Sequence, residues 1–282
     1  MNTFSNSFYL KTLNNSLLLV TNRHLHSPVT INLDSTVTLH GLVNPDDQFC
    51  ALQGKAIRTA NGLTIDLSGA VLYERPSTFV GDLNYQFGEI SEPLRLASFI
   101  LKIIKTTQSV LDPEGLAHER VAAFVRDGIL SIRTYDGPSD MFYRAAMKIV
   151  GLGYGFTPSG DDLLGGFLAA YNSLARSINR EPILLEFREL RERTSWISAR
   201  LLDYMQRLIL DEQVDDIIAC AAEGHVDALV ETIELLLSRG HTSGIDIATG
   251  ILLALSLVQD LVFRTRQTEK TAMLLGLLPS SQ

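Results

Sequence analysis

The chain reads as α+β: a small β-rich N-terminal domain, residues 1–92, packed on a larger all-helical C-terminal domain, residues 93–282. Three observations predict this. Residues 1 to about 90 carry short apolar runs punctuated by Pro28, Asp34-Ser35, Asn44-Pro45-Asp46-Asp47, Gly54 and Asn61-Gly62, intervals that suit strands and turns. From Pro93 onward, apolar residues recur at helical spacing. At Gly151 a glycine-rich loop runs into an apolar helix, and the end of that motif returns near residue 240.

In the first domain, Leu17–Val20, Thr30–Leu33, Thr36–Leu39, Leu63–Leu67 and Ala70–Tyr73 are the expected strand segments. In the second, Leu94, Ala97, Leu101 and Ile104 share one helical face. Asp112-Pro113 opens a helix that Gly128 ends, and Ser139 caps Met141–Ile149. Residues 183 to about 210 form a long helical pattern that Thr194-Ser195 can break in two. Asp216–Ala222 and Val226–Leu237 follow as helices. The tail from Arg264 is polar, with an apolar patch at Met273–Leu278.

Composition narrows the function classes. A net charge of −8 and a pI near 5.3, with no basic run, argue against nucleic acid as a partner. The N-terminus lacks the pattern of a signal peptide, and Ile247–Phe263, the most apolar stretch, contains Asp260 and reads as a core helix rather than a membrane span. Cys50 and Cys220 have no partners at metal-ligand spacing and read as reduced thiols of a cytoplasmic protein.

The chemistry concentrates in Gly151–Ala170, GLGYGFTPSGDDLLGGFLAA. Thr157 or Ser159 can cap the helix, and Pro158 suits its first turn. A helix N-terminus carries unpaired N–H groups and about half a positive charge, so with glycines before it the motif can hold an anion. Asp161 and Asp162 can instead satisfy those N–H groups, hold a cation or take protons from a substrate. The glycine spacing fits neither the Walker loop nor the dinucleotide fingerprint.

A second copy follows. Ser159-Gly160-x-Asp162 matches Ser243-Gly244-x-Asp246, and Gly166, Leu168 and Ala170 match Gly250, Leu252 and Ala254, each 84 residues further on. A glycine inside a helix costs about 1 kcal/mol relative to alanine, so the shared internal glycine points to close helix–helix contact there. The two helix starts are therefore expected to converge. The candidate catalytic residues are Asp162, Asp246 and His241, with His241 as a general acid, base or metal ligand. The candidate substrate-binding residues are Gly153, Gly155, Thr157, Ser159, Gly160, Asp161, Thr242, Ser243 and Gly244. Ser159 or Ser243 with His241 could also form a nucleophilic triad, although capping is the commoner use of such serines. His24 and His26 could line a cleft from the first domain.

The pattern Gly151 to Asp162, with the later Gly-His-Thr-Ser-Gly-x-Asp of Gly240 to Asp246, resembles the AllH-type proteins. Thr194–Leu201 (TSWISARL) and the His26-Ser27 region share in the resemblance, which runs to about Phe263; Phe156 stands where an aliphatic residue is more usual. The resemblance implies a subunit of oxamate carbamoyltransferase in anaerobic allantoin degradation, a branch of purine catabolism. The implied reaction moves a carbamoyl group from oxalurate to phosphate, giving oxamate and carbamoyl phosphate, and requires other transferase subunits. Backbone N–H groups at Ser159-Gly160 or Ser243-Gly244 could stabilise the oxyanion of that transfer. The aspartates could bridge to phosphate through a cation such as magnesium (Mg), or grip the ureido N–H groups. Two further readings are a non-catalytic subunit that binds a small anion and a purely structural assembly subunit.

Overall fold

Alternating burial and exposure makes the first strands. In β1 (Ser7–Lys11) Phe8 and Leu10 turn inward, and β2 (Leu17–Thr21) pairs with it antiparallel through Phe8 opposite Val20. A computed structural model of the chain describes residues 4–44, 47–74, 90–103, 109–115, 117–134, 139–238 and 242–279. The chain divides into two compact units, residues 1–76 and 77–282.

In the first unit, β3 (Thr30–Asn32) adds parallel to β2. A second three-stranded sheet is an antiparallel meander of β4 (Phe49–Leu52), β5 (Ala56–Thr59) and β6 (Thr64–Asp66). Phe8, Leu10, Val20, Leu39, Val43 and Ile65 form the core that the two sheets share, with Phe8 and Phe49 stacked across it at 5.9 Å. Two expected strands are absent. Thr36–Leu39 buries Leu39 and donates its N–H to the Ser5 carbonyl, but no strand ladder forms there. In Ala70–Tyr73 the side chains of Val71 and Leu72 are exposed, so nothing drives pairing.

The second unit is helical, which makes the fold α+β. Its order is α1 (Ser91–Ile103), α2 (His118–Ala123), α3 (Asp140–Ile149), α4 (Ser159–Leu174), α5 (Phe187–Arg191), α6 (Trp196–Gln206), α7 (Glu212–Glu223), α8 (Val226–Leu237), α9 (Ser243–Phe263) and α10 (Gln267–Leu274). Every residue of α4 is buried, as is α9 from Gly244 to Asp260. Such all-round burial marks the central pair of a helical domain. By length and apolarity α9 could cross a membrane, but it is packed inside the protein. Around α4 and α9 the rings of Phe124, Phe142, Phe167 and Tyr171 pack in a continuous column.

Local chemistry explains where the helical pattern breaks. Asp112 accepts a hydrogen bond from the Glu114 N–H in a turn, so the helix expected from Asp112-Pro113 starts only at His118. It continues through a wide turn, Phe124–Gly128, and a tight one, Ile129–Arg133. Ile183 is extended, because the buried Asn172 side chain accepts from its N–H and donates to its carbonyl. Ser195 caps α6 by accepting from the Ser198 N–H, splitting α5 from α6 at the expected Thr194-Ser195 break. Ser139 caps α3. The tail is ordered into α10, whose first turn is held by Asp260 at the end of α9 through the N–H groups of Gln267 and Thr268.

Candidate functional site

The loop into α4 needs its glycines. Gly151, Gly153 and Gly155 all have positive φ, at +77°, +105° and +108°. A Cβ on Gly151 would lie 2.1 Å from the Arg193 carbonyl oxygen, and one on Gly153 would crowd Ser159. The loop thus wraps back onto the start of its own helix. Gly155 and Tyr154 are exposed at its tip.

Helices α4 and α9 lock together through their internal glycines. A Cβ on Gly166 would stand 2.1 Å from the Ile247 carbonyl oxygen; one on Gly250 would stand 2.0 Å from that of Leu163. The two contacts are reciprocal, because Ile247 and Leu163 are themselves separated by the 84-residue offset. The helices therefore meet about a local two-fold relation one to two turns from their N-termini. Each start is also pressed against an earlier helix, Gly160 against the Ile149 carbonyl of α3 and Gly244 against that of Leu236 in α8.

This packing joins the two starts. Thr157 donates its hydroxyl to Asp162 Oδ2 at 2.9 Å, and the same oxygen of Thr157 lies 3.2 Å from the Ser243 hydroxyl. The Ser159 and Thr242 hydroxyls stand beside the Asp246 carboxylate. Ser159, Asp162, Thr242, Ser243 and Asp246 therefore belong to one polar cluster, with Thr157, Thr242 and Ser243 partly exposed and the two carboxylates buried.

Three carboxylates share this region, with different partners. Asp161 is saturated. It accepts from the Gly151 N–H at 2.7 Å on one oxygen and from the hydroxyls of Thr194 and Ser198 on the other, tying the loop to α6. Asp246 accepts from the Val110 N–H at 2.8 Å through Oδ1, while its buried Oδ2 accepts no hydrogen bond of normal geometry. None of the three forms an ion pair with Lys or Arg among the described residues. Burial therefore dominates their acidity. It raises Asp161 against the pull of three donors. It raises Asp162 well above the usual carboxylate range, helped by the charges of Asp246 and Asp161 and opposed by the Ser243 and Thr157 hydroxyls. It lifts Asp246 to about 7, against the Val110 N–H and the Ser159 and Thr242 hydroxyls.

Several expectations change. Neither start has a side-chain cap: α4 begins with Pro158 at the cap position and α9 with Thr242. Ser159 lies inside the first turn with its hydroxyl beside the Asp246 carboxylate, and Thr157 donates its hydroxyl to Asp162. The Gly160 N–H donates to the Leu152 carbonyl at 2.8 Å, which removes it as an oxyanion donor. Asp161 has every oxygen committed to the fold and makes a better tether than substrate ligand. Gly240 and His241 lie outside the described residues, as does any triad through His241. No cluster of three or more His, Cys, Asp or Glu with the arrangement of a metal centre occurs among the described residues. His24 and His26 lie in the first unit.

Sequence reasoning missed the supports supplied from elsewhere. Val110 reaches Asp246 from 136 residues earlier in the chain, and behind it His118 places its Nδ1 3.2 Å from the Val110 carbonyl. Thr194 and Ser198 hold Asp161, and their only signal was the segment TSWISARL.

Residues 149–255 match the family model described as oxamate carbamoyltransferase subunit AllH. The matched stretch runs from the end of α3 through both helix starts and both internal glycines, and over that stretch the chain is similar to the AllH family. No curated protein and no solved structure matches the chain.

Proposed function

We propose that this chain is a subunit of a carbamoyltransferase that converts oxalurate and phosphate to oxamate and carbamoyl phosphate, acting with partner subunits, and that it contributes the joined starts of α4 and α9 to the reaction. The observation that carries the reading is that one family model, described as a carbamoyltransferase subunit, spans the two motifs that the helices bring into contact through Thr157 and Ser243.

The chemistry of the cluster favours proton handling over anion capture. A site with buried carboxyl groups and no paired cation offers a bare anion no counter-charge. It does accept N–H groups, and the carbamoyl donor presents ureido N–H groups. In the proposed role Asp246, with its acidity near neutrality and one oxygen without a hydrogen-bond partner, exchanges a proton with the reacting nitrogen. Asp162 and the Thr157 and Ser243 hydroxyls orient the same group from the solvent side. The negative charge of oxalurate and phosphate then has to be met elsewhere, on this chain or on a partner.

The test is the complete complex, assayed for phosphate-dependent cleavage of oxalurate, against the complex assembled without this chain. Loss of carbamoyl phosphate formation on omission supports the proposal. Undiminished turnover without it would overturn the proposal.

A further inference from the structure

On a chain of net charge −8, three cations gather at one hollow on the helical unit. The hollow has a volume of about 430 Å³ and lies between α2, α3 and the segment before α6. Arg120 comes from the short helix α2, Lys148 from the last turn of α3, and Arg193 from the link between α5 and α6. None of the three forms an ion pair among the described residues, and all are exposed. The one acid at the rim, Asp127, faces its neighbour Arg126 at 3.3 Å. Below the charges the lining is apolar: Ala123, Phe124, Ala145 and Val150.

We infer that this hollow binds a small organic anion carrying at least two negative charges, with phosphoryl or paired carboxylate groups. Like charges gathered without counter-ions raise the free energy of the surface, and an oxyanion ligand relieves it. The two guanidinium groups offer planar, two-pronged donors suited to phosphate and carboxylate alike. The volume sits in the range of metabolite pockets and exceeds what a bare phosphate fills, so the apolar floor has room for an organic body. Lys148 also complements the C-terminal dipole of α3, but that leaves Arg120 and Arg193 unexplained. The inference rests on charge and shape alone and does not depend on the carbamoyl-transfer reading.

The hollow is wired to the acid cluster. Its lining residues Val150 and Arg193 are the chain neighbours of Gly151 and Thr194, two of the three groups that hold Asp161. A ligand that draws Arg193 inward therefore acts on the loop that leads into α4.

The experiment is titration calorimetry of the full chain with two probes, pyrophosphate and malonate, in low and in moderate salt. Binding of either is expected, weakened by salt; the tighter probe tells phosphoryl from carboxylate chemistry. Arg120→Gln, Lys148→Gln and Arg193→Gln should each weaken binding roughly 2- to 10-fold, while Arg176→Gln, an exposed cation elsewhere on the unit, leaves it unchanged. All three substituted side chains are exposed, so the fold is spared, as an unchanged unfolding curve would verify. No heat with either probe up to millimolar concentration overturns the inference. So does a loss in Arg176→Gln equal to that in the other three.

Discussion

At the scale of single residues, Asp162 and Asp246 differ from Asp161 in what their oxygens are free to do. Asp161 takes three donors and holds the Gly151 loop to α6, so Asp161→Asn places an amide where the Thr194 and Ser198 hydroxyls donate. That substitution should destabilise the chain by about 1–3 kcal/mol, the cost of breaking a buried hydrogen-bond set, read by urea unfolding. Asp246→Asn is a gentler change. Asn can still accept the Val110 N–H, and its amide finds the Ser159 and Thr242 hydroxyls beside it as acceptors. Ser159 and Ser243 do not cap their helices. Ser159→Ala removes a donor that favours the charged form of Asp246, so any activity limb set by Asp246 should move to higher pH. A pH–rate profile that stays in place would separate that limb from Asp246.

At the scale of elements, the internal glycines carry the architecture. Gly166→Ala or Gly250→Ala would set a methyl about 2 Å from a backbone carbonyl of the facing helix, and backbone cannot step aside as a side chain can. Each should cost about 2–4 kcal/mol in an unfolding titration, against alanine's own helical preference. Gly224→Ala is the contrast. Gly224 ends α7 at φ +75° with open space around it, so its cost is limited to conformational strain, about 1–2 kcal/mol. Equal costs at the three positions would mean that α4 and α9 are less tightly locked than described. These glycines were legible in the sequence because the repeat places them at one offset and a helix interior normally avoids glycine. The same holds for the helix starts and for the Thr194-Ser195 break. The supports of the acids were not legible. Val110 and His118 come from a different part of the chain, and Ser198 reads only as a polar residue in the first turn of α6. Strands β1, β4 and β5 went unread, because four or five residues beside closely spaced turns give too little alternation to count. The caps expected at α4 and α9 failed for another reason, although Ser139 caps α3 as expected: the local rule for Ser and Thr at helix starts is overridden when a buried carboxylate stands within reach.

At the scale of the whole molecule, the buried acids tie stability to pH. In the unfolded chain Asp246 titrates near 3.8; in the fold it titrates at about 7. Between those values the folded state holds the extra proton, so stability that is fully present below about pH 4 is lost as pH rises toward 7. The slope is about 1.4 kcal/mol per pH unit for one such group. Asp162, raised by the same burial, acts in the same direction. Asp246→Asn removes the charge that must be buried. Its stability relative to the native chain should rise between pH 5 and pH 8, followed through Trp196, the chain's single tryptophan, which lies in the helical unit at the start of α6. A difference that does not change with pH would mean that Asp246 is not the buried acid described.

The central claim is that the joined starts of α4 and α9 act through the charge and proton of their aspartates. It is tested most directly by turnover of the reconstituted complex carrying Asp162→Asn, Asp246→Asn or both, measured beside unfolding of the same chains. The account predicts folded variants with turnover reduced by on the order of 10²-fold or more, the usual scale for losing a proton-transfer group. It also predicts a double variant that loses less than the product of the two single losses, because the groups serve one site. Near-normal turnover in both single variants, with stability intact, would contradict it and leave the two helix starts as packing alone.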